Sequence, residues 1–379
     1  MRVGIVGAGP AGAQLARLLA RDGADVTVFD ASHPREKPCG GGLTARALAL
    51  LPPAPADDPL PARRVERCCF DSGQGESVSV ALGRPVAIVA RRDFDAWLLR
   101  RAVRAGARHV AERVAELDAS GRLRTSTGRA LRFDLLVGAD GAGSLVRRTL
   151  LRPTPPARLV IATGWYAPGT VAMTLRFLPG LAGYAWLFPR PDHVAVGICA
   201  PLGSQPTARL LQRLEREAAL DFPALSPDPE AGRYAHTIPS PSTAPASLRE
   251  LAGPGWALVG DAAALADPLT GEGIFYALRS AELLSECLRA EGSPLRYPQR
   301  LLEECGHELL EAARLRVRFY APGFARRMVR YASWSPGLAR VLGELVLGEQ
   351  GYEGLKPRLL AELPRFAWEA ARARVMQLA

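Results

Sequence analysis

Three glycine turns, each following a short apolar run, carry the chemistry-bearing residues of this chain. The first turn has the pattern Gly-x-Gly-x-x-Gly and consists of Gly7, Ala8, Gly9, Pro10, Ala11 and Gly12. The second turn contains Asp140 and Gly141, and the third contains Gly260 and Asp261. A glycine turn that opens a helix presents backbone N–H groups and a partial positive charge to phosphates. We therefore expect three strand ends that converge on one dinucleotide.

The glycines of the first turn have separate predicted roles. Gly7 makes the tight turn, Gly9 lets the backbone approach a pyrophosphate, and Gly12 lets the helix pack on the strand. Asp30 ends the next apolar run, where it is placed to accept hydrogen bonds from an adenosine ribose. This unit alone fits NAD or FAD. The two later turns favour non-covalent FAD, because ribityl hydroxyls offer Asp261 the donors that a buried carboxylate needs.

A further glycine-containing segment follows the third turn and opens a long predicted helix. It includes Pro268, Gly271, Gly273 and Ile274. Its free N–H groups are suited to the N1–C2=O edge of a flavin, where negative charge develops on reduction. We predict that these residues contact the flavin ring.

The composition excludes several classes of protein. The net charge is +10, and Lys37 and Lys356 are the only lysines, so arginine supplies nearly all of the positive charge. This bias reflects either a GC-rich genome or attraction to an anionic lipid surface or a phosphorylated substrate. Six cysteines and five histidines show no metal-ligand spacing, so we predict no metal site and reduced cytoplasmic thiols. No basic run with interleaved aromatics indicates nucleic-acid binding.

The apolar periodicity predicts an α/β fold. Helices are expected at residues 10–21, 94–105 and 272–289, and residues 299–379 look mainly helical. Alternating runs at residues 160–166, 171–177 and 194–199 predict an antiparallel sheet. We predict a Rossmann-like FAD-binding domain interleaved with an antiparallel-sheet substrate domain, followed by a helical C-terminus. The three parts are assigned to residues 1–62, 85–150 and 246–295, to residues 63–84 and 151–245, and to residues 296–379.

The segment from residue 260 to residue 274 resembles the geranylgeranyl reductase family, within the superfamily of aromatic hydroxylases and flavin-dependent halogenases. Its sequence is similar to the corresponding motif of that family and reads Gly-Asp-Ala-Ala-Ala-Leu-Ala-Asp-Pro-Leu-Thr-Gly-Glu-Gly-Ile. Aromatic hydroxylases usually carry a histidine where this chain has Ala264. Arg91 matches the family arginine that touches the FAD phosphates. The resemblance covers most of residues 1–280.

Two further motifs are similar to the same family. Cys39, Gly40 and Gly41 belong to a Lys-Pro-Cys-Gly-Gly run that in the family lies beside the isoalloxazine ring. The alternative interpretation is that Cys39 is simply a small hydrophobic residue in a loop. The second motif contains Tyr184, Trp186 and Phe188 on one face of a predicted strand, and resembles Pro-x-x-Tyr-x-Trp-x-Phe-Pro with Leu181 in place of the first proline. The three aromatics form either a wall for a long apolar substrate or a packed sheet core.

The resemblance implies an FAD-dependent reductase that saturates isolated C=C bonds of a polyprenyl chain by hydride transfer from flavin N5. Cys39, Tyr184 and Trp186 are the candidate catalytic residues, and Cys39, Tyr184 or a water molecule would supply the proton. NADPH or a ferredoxin would supply the electrons. The first alternative is an FAD-dependent monooxygenase or halogenase, for which Lys37 is the available N-terminal lysine. The second alternative is a non-catalytic lipid carrier.

The partners of such an enzyme follow from its substrate. The prenyl group could belong to a diphosphate, a phospholipid ether, a quinone or a chlorophyll precursor. Residues 314–331 mix arginines and aromatics, as in an interfacial membrane segment or in a solvated helix face packed on the domain. We expect a cytoplasmic protein, free or peripheral on the inner face of the membrane, that is a monomer or a small homo-oligomer.

Overall fold

The computed structural model describes residues 1–225, 227 and 232–378. Numbered in chain order, its strands are β1 (Arg2–Val6), β2 (Asp25–Phe29), β3 (Gly42–Leu43), β4 (Ala62–Asp71), β5 (Ser77–Val89), β6 (Arg108–Val110), β7 (Val114–Leu117), β8 (Arg122–Thr125), β9 (Ala130–Arg132), β10 (Leu135–Gly138), β11 (Leu159–Ala167), β12 (Thr174–Arg176), β13 (Ala185–Pro189), β14 (Val194–Pro201), β15 (Arg233–Pro239), β16 (Ala252–Gly253) and β17 (Trp256–Leu258).

The helices alternate with the strands at first and then dominate the C-terminal part. They are α1 (Pro10–Arg21), α2 (Ala45–Ala49), α3 (Arg91–Arg104), α4 (Leu145–Leu150), α5 (Thr207–Asp221), α6 (Ala246–Arg249), α7 (Ile274–Glu291), α8 (Tyr297–Leu301), α9 (His307–Phe319), α10 (Phe324–Trp334), α11 (Pro336–Leu347) and α12 (Tyr352–Leu378). A π-helical turn over Leu302–Gly306 joins α8 to α9.

The first sheet brings the three glycine turns together. In the described part of the chain its strand order is β16-β17-β10-β1-β2-β6, and β17, β10, β1 and β2 run parallel. The carboxyl ends of parallel neighbours lie at one edge of a sheet, which is where ligands bind in such folds. The turns that follow β1, β10 and β17 therefore meet at this edge. The predicted convergence of three strand ends is confirmed.

Helix α3 begins three residues earlier than the periodicity predicted. It extends over Arg91–Arg104 instead of residues 94–105. The carboxylate of Glu36 accepts hydrogen bonds from the backbone N–H groups of Arg91 and Arg92, at 3.1 and 3.2 Å. Free N–H groups at a helix start need such acceptors. Because the acceptor comes from a distant loop, the apolar periodicity could not reveal this helix start.

The second sheet has the described order β15-β11-β14-β13-β12-β4-β5-β3 and contains mainly antiparallel pairs. It takes in residues 42–43 and 85–89, which the predicted division had assigned to the FAD-binding part. The reason is that β5 continues unbroken to Val89 and pairs there with β3 and β4. The alternating run at residues 171–177 forms a strand only over Thr174–Arg176, which pairs with β4 and β13.

Helices cover both sheets. Helices α1 and α7 pack on the parallel sheet in its main apolar core, and α5 packs on β11 and β14. Helices α10 and α11 pack on β5, so the helical C-terminal region closes the other end of the second sheet. No helix within residues 1–225, 227 and 232–378 has the length and apolar character needed to span a membrane.

Candidate cofactor and substrate site

A solvent-open cavity, with about 1270 Å³ of empty space that includes its open mouth, lies at the edge where the three glycine turns meet. Its lining includes most of the predicted cofactor residues and the three predicted aromatics. These are Gly9, Pro10, Ala11, Cys39, Gly40, Arg91, Gly141, Asp261, Pro268, Gly271, Gly273, Ile274, Tyr184, Trp186 and Phe188. Lining residues therefore come from both sheets and from the loops between them.

The first glycine turn has the geometry of an anion cradle. Gly7 has φ +100°, and a Cβ at Gly12 would collide with the carbonyl oxygen of Gly7. By contrast, a Cβ at Gly9 would meet no protein atom within 4 Å, although Gly9 lines the cavity. The glycines at 7 and 12 are thus required by the fold, whereas the empty space beside Gly9 suits a ligand that approaches the backbone. This turn fits the pyrophosphate of a dinucleotide.

Asp30 lies beside this turn and fixes its loop. Its carboxylate accepts hydrogen bonds from the backbone N–H of Ala8, at 2.9 Å, and from the N–H and hydroxyl of Ser32. Burial by itself raises the pKa of Asp30, but these hydrogen bonds lower it below its ordinary value. The carboxylate is therefore ionised at neutral pH and available as an acceptor for ribose hydroxyls.

Asp261 in the third turn forms an ion pair with Lys37, whose Nζ lies 2.7 Å from Oδ2. Burial by itself raises the pKa of Asp261, but the ammonium of Lys37 lowers it below its ordinary value. The pair links the cysteine-containing loop to the third glycine turn. Both residues line the cavity, so the charge available to a ligand here is a paired carboxylate and ammonium.

Asp140 and Gly260 have partners within the protein. The carboxylate of Asp140 accepts hydrogen bonds from the Ser144 hydroxyl and from the backbone N–H of Leu145, at 2.5 and 2.6 Å, at the start of α4. Its neighbours Ala139 and Gly141 line the cavity. Gly260 has φ +59° and packs under α1 and α7. Their cofactor-binding roles stay predictions.

Three tyrosines from different parts of the chain hold the loop of residues 267–273. The hydroxyl of Tyr184 donates a hydrogen bond to the carbonyl of Thr270. The hydroxyl of Tyr320 donates to the carbonyl of Leu269, and that of Tyr352 to Oδ2 of Asp267, both at 3.0 Å. The last two tyrosines belong to the C-terminal region, in which no sequence motif was found. This region therefore positions the loop that contains Gly271 and Gly273.

Tyr184 was predicted as a catalytic residue and possible proton donor, and its contacts bear on that prediction. Its hydroxyl is already bonded to a backbone carbonyl, and burial raises the pKa of Tyr184 well above its ordinary value. Both features favour a positioning role over proton donation.

Arg190 fixes the loop that carries Cys39. Its guanidinium is buried and donates to the carbonyl of Cys39 at 2.6 Å and to Oε1 of Glu36 at 2.8 Å. The same guanidinium lies 4.8 Å from the ring centre of Tyr166. Glu36 in turn caps α3, so Arg190 couples the end of β13 to the cysteine loop and to this helix.

The glycines of this loop also have structural reasons. A Cβ at Gly40 would press on the Phe188 ring, and a Cβ at Gly41 would collide with the carbonyl of Val89. Gly41 also has φ +86°. These packing constraints require small residues whether or not a flavin lies beside them.

Arg91 begins α3 and lines the cavity. Its Nε and Nη2 atoms donate to both carboxylate oxygens of Asp95, at 2.8 and 2.7 Å, and both side chains are buried. This bidentate pair fixes the orientation of the guanidinium. Arg91 is thus held in a fixed orientation in the lining of the cavity.

The predicted aromatic face lies on the cavity side of the second sheet. The indole of Trp186 lies over Gly197 on the neighbouring strand, where a Cβ would collide with the ring. Tyr184 and Trp186 make an edge-on ring contact, with centroids 6.1 Å apart. Phe188 lies farther along the same strand. These three side chains line the cavity together, as predicted from strand alternation.

His236 is a cavity residue that the sequence analysis missed. Cross-strand pairing joins it to Ala162, which pairs with Cys199, and the N–H of Cys199 bonds to the carbonyl of Tyr184. All four residues line the cavity. Burial, reinforced by the positive charge of Lys37, lowers the pKa of His236 to about 4. The buried Nε2 atom has no hydrogen-bond partner in the described part of the chain. Only strand pairing reveals this position.

A second solvent-open cavity, with about 1060 Å³ of empty space that includes its open mouth, adjoins the first and extends beneath the C-terminal helices. The two cavities share Cys39, Gly40, Tyr184, Phe188 and Tyr320, among others. The remaining lining is largely apolar and consists of Phe70, Val86, Met173, Leu175, Phe177, Phe319, Met328, Leu342, Leu345 and Val346, with several further residues. Glu272 is the charged residue in the described lining, and it is paired with Arg46. This space suits an apolar chain.

Comparison with known proteins defines the class. The FAD binding domain family matches residues 1–217. The menaquinone reductase of Mycolicibacterium smegmatis is 31% identical over 91% of this chain and 92% of its own length. The digeranylgeranylglycerophospholipid reductase 1 of Methanopyrus kandleri is 31% identical over 74% of this chain and 78% of its own length. The protein is thus an FAD-dependent oxidoreductase.

Structural comparison defines the fold. A geranylgeranyl bacteriochlorophyll reductase-like protein of Thermoplasma acidophilum matches with a TM-score of 0.76 and 20% identity, over 95% of this chain and 98% of that one. A flavin-dependent brominase matches with a TM-score of 0.68 and 18% identity, over 96% and 100% of the two chains. These two likenesses concern the fold. The chain belongs to the geranylgeranyl reductase family of FAD-dependent oxidoreductases.

Proposed function

We propose that this enzyme saturates isolated C=C bonds in the prenyl chain of a membrane lipid, with a prenylated quinone as the first substrate class to test. The observation that carries the proposal is the second, apolar cavity, which joins the predicted flavin position at Cys39 and Tyr184. Burial of a prenyl chain in such a space contributes roughly 0.8 kcal/mol of binding free energy per CH₂ group. The names of the menaquinone and geranylgeranyl diphosphate reductases support the same substrate type.

The residues of this chain have defined roles in the proposed reaction. The first glycine turn would hold the pyrophosphate of FAD, and Asp30 and Asp261 would accept hydrogen bonds from its hydroxyls. When bound, FAD supplies hydride from N5 to one alkene carbon, while a proton goes to the other. The aromatic face and the C-terminal helices would exclude water from the alkene. Cys39 and a bound water molecule are the proton donors left for testing.

The second cavity also bears on where the polar end of the substrate lies. Its described lining offers no lysine or arginine for a diphosphate. The apolar chain is therefore the part that fits here, and the headgroup would lie outside.

The test is an anaerobic turnover experiment with the FAD-loaded enzyme. Enzyme reduced with NADPH, reduced ferredoxin or dithionite is mixed with a prenylated quinone or with geranylgeraniol. A quinone ring can itself accept electrons, so flavin absorbance alone does not decide. After air reoxidation of the ring, we expect a side chain heavier by two hydrogens per reduced bond. Geranylgeraniol provides the control without a quinone ring.

Two outcomes would contradict the proposal. An unchanged side chain with either substrate would remove prenyl reduction, and a product formed only with oxygen would favour the monooxygenase alternative. The halogenase alternative needs a free lysine near the flavin. The ammonium of Lys37 is instead paired with Asp261 of the third glycine turn, so its position does not favour that alternative. NADPH and ferredoxin, compared in the same experiment, identify the electron donor.

A further inference from the structure

The turn between α9 and α10 forms an exposed corner of the C-terminal helical region. We define the helical corner as residues 314–331. Residues 321–324 at its tip are all exposed. Three large apolar or aromatic side chains of the corner also face solvent: Val317 is 78% exposed, Phe324 40% and Tyr331 48%. Phe324 and Tyr331 are seven residues apart on α10 and therefore share a helix face. Exposed apolar side chains that share a face mark a candidate interaction surface.

The charge of the corner is of one sign. Residues 312–334 contain six arginines and no aspartate or glutamate. Arg314 pairs with Glu311, and Arg326 pairs with Glu76. Arg318, Arg327 and Arg330 form no ion pair with an acidic residue in the described part of the chain. The corner therefore presents uncompensated positive charge beside exposed apolar side chains.

The opposite side of the same corner lines the second cavity. Phe319 and Tyr320 at the end of α9, together with Met328 of α10, contribute to its lining. Exposed and cavity-facing residues alternate at helical spacing, because residues three or four apart share a helix face. The corner is thus a single layer of helix between the apolar cavity and solvent.

We propose that the helical corner docks on an anionic lipid bilayer. Val317, Phe324 and Tyr331 would enter the headgroup and acyl boundary, and the arginines would pair with lipid phosphates. An anionic bilayer matches both features of this surface, whereas a nucleic acid would match the charge alone. Docking in this orientation turns the cavity-lining layer towards the membrane, which is where prenyl lipids reside. The proposal goes beyond the reductase chemistry and stands independently of it.

Vesicle co-sedimentation of the FAD-loaded full-length enzyme tests the proposal. Vesicles of phosphatidylcholine alone are compared with vesicles that also contain phosphatidylglycerol, at low and high salt. We expect binding to the anionic vesicles that falls as salt rises. The triple variant Arg318→Gln, Arg327→Gln, Arg330→Gln should bind roughly 100-fold more weakly, which corresponds to about 1 kcal/mol per arginine.

Matched controls separate the effect of the helical corner on vesicle binding from the effects of net charge and of exposed apolar side chains in general. Arg122→Gln, Arg124→Gln, Arg132→Gln removes the same charge from exposed positions of the three-stranded sheet. Leu220→Ser removes an apolar side chain that is 80% exposed on α5. Both controls should bind nearly as well as wild type. The double variant Val317→Ser, Phe324→Ser should lose several-fold in binding at every salt concentration.

Four results would overturn the proposal: no sedimentation, equal sedimentation with neutral vesicles, equal losses in the corner and control arginine variants, or an undiminished Val317→Ser, Phe324→Ser variant. The last result would indicate a general polyanion surface. Turnover of detergent-dispersed geranylgeraniol by the corner variants is measured in parallel. A corner variant that loses vesicle binding but keeps its turnover would separate docking from catalysis. Wild-type enzyme that binds vesicles but shows no turnover would support docking and contradict the reductase proposal.

Discussion

Lys37 and Asp261 join the cysteine loop to the third glycine turn across the candidate cofactor cavity, with Nζ 2.7 Å from Oδ2. Each side chain is 17% exposed, so the pair is largely withdrawn from water. A carboxylate that is predicted to bind a ribityl hydroxyl is thus already ionised and oriented before a ligand arrives. The pair organises the site by connecting two segments that lie far apart in sequence.

Breaking this pair should cost stability in a non-additive way. We expect Lys37→Met and Asp261→Asn to couple by about 1–3 kcal/mol in a double-mutant cycle. The pKa of Asp261 is lowered in the folded protein, so its contribution is complete at neutral pH and is lost as the pH falls through that pKa. Urea unfolding of wild type, both single variants and the double variant at pH 7 measures the coupling. Additive losses would contradict a direct interaction.

Gly9 and Gly12 should respond differently to substitution. A side chain at Gly9 enters open space in the cavity, so Gly9→Val should destabilise the FAD-free protein by no more than about 1 kcal/mol, the cost of a poorer N-cap on α1. It should nevertheless weaken FAD binding by more than roughly tenfold, because the side chain occupies the cradle. Gly12→Ala should destabilise the FAD-free protein by about 1–3 kcal/mol, because its Cβ collides with the Gly7 carbonyl. Thermal unfolding and FAD titration distinguish the two effects, and equal FAD affinity of Gly9→Val and wild type would exclude the cradle.

Arg190 should control the mobility of the cysteine loop. Arg190→Met removes a buried donor from the Cys39 carbonyl and from Glu36, which keeps the backbone N–H donors of Arg91 and Arg92, so we expect a cost of about 1–3 kcal/mol. Thiol labelling of Cys39 in the native protein should then accelerate, as followed by peptide mass spectrometry with Cys39→Ala as the blank. Arg190→Lys should be intermediate, since an ammonium lacks the planar fork of a guanidinium. An unchanged labelling rate in Arg190→Met would show that other contacts hold the loop.

Trp186 lines the first cavity and contacts Tyr184, which lines both cavities, so it should affect how affinity depends on the length of a prenyl chain that reaches the flavin position. Wild type should bind prenyl alcohols more tightly with each isoprene unit, at roughly 0.8 kcal/mol per buried CH₂ until the cavity ends. Trp186→Ala should flatten this dependence and weaken long chains more than short ones. Gly197→Ala, which displaces the indole without removing it, should act in the same direction. Equal losses at every chain length would assign Trp186 to the packed core instead of the substrate wall.

His236 should make the protein less stable in mild acid. Its pKa is lowered to about 4, below the value of roughly 6.5 for an unperturbed histidine. Between these values the unfolded chain takes up a proton that the folded protein does not, so stability falls as the pH decreases. His236→Gln removes this effect, and its stability relative to wild type should rise by up to about 1.4 kcal/mol per pH unit over this interval. Urea unfolding of the FAD-free proteins at several pH values checks the slope, and a difference that stays constant with pH would refute the prediction.

Much of the fold was predictable because it depends on local backbone constraints. The helix Pro10–Arg21 has the predicted bounds, and the strands before the three glycine turns lie within a residue or two of the predicted runs. A glycine turn between a strand and a helix needs no distant partner to be identified. The alternation of Tyr184, Trp186 and Phe188 likewise depends only on the two-residue period of a strand.

The extent of the second sheet was less predictable. Strand β5 continues to Val89 because β3 and β4 pair with its last residues, and these partners lie elsewhere in the sequence. The earlier start of α3 has the same kind of cause, since its cap is Glu36. In both cases the end of the element is set by a contact with residues far away in the sequence. The residues near that end therefore do not reveal where the element begins or stops.

The class of fold, the convergence of the three glycine turns and the shared face of Tyr184, Trp186 and Phe188 could be predicted from the residues alone, because each follows from the local geometry of short segments. Which distant residues meet became visible only in the tertiary structure. It placed Lys37 on Asp261, Arg190 on the Cys39 carbonyl, and His236 in the cavity beside β11. It also showed that Tyr320 and Tyr352 of the C-terminal helices hold the loop of residues 267–273. These contacts depend on how sheets and helices pack, and packing brings together residues whose types alone do not identify their partners.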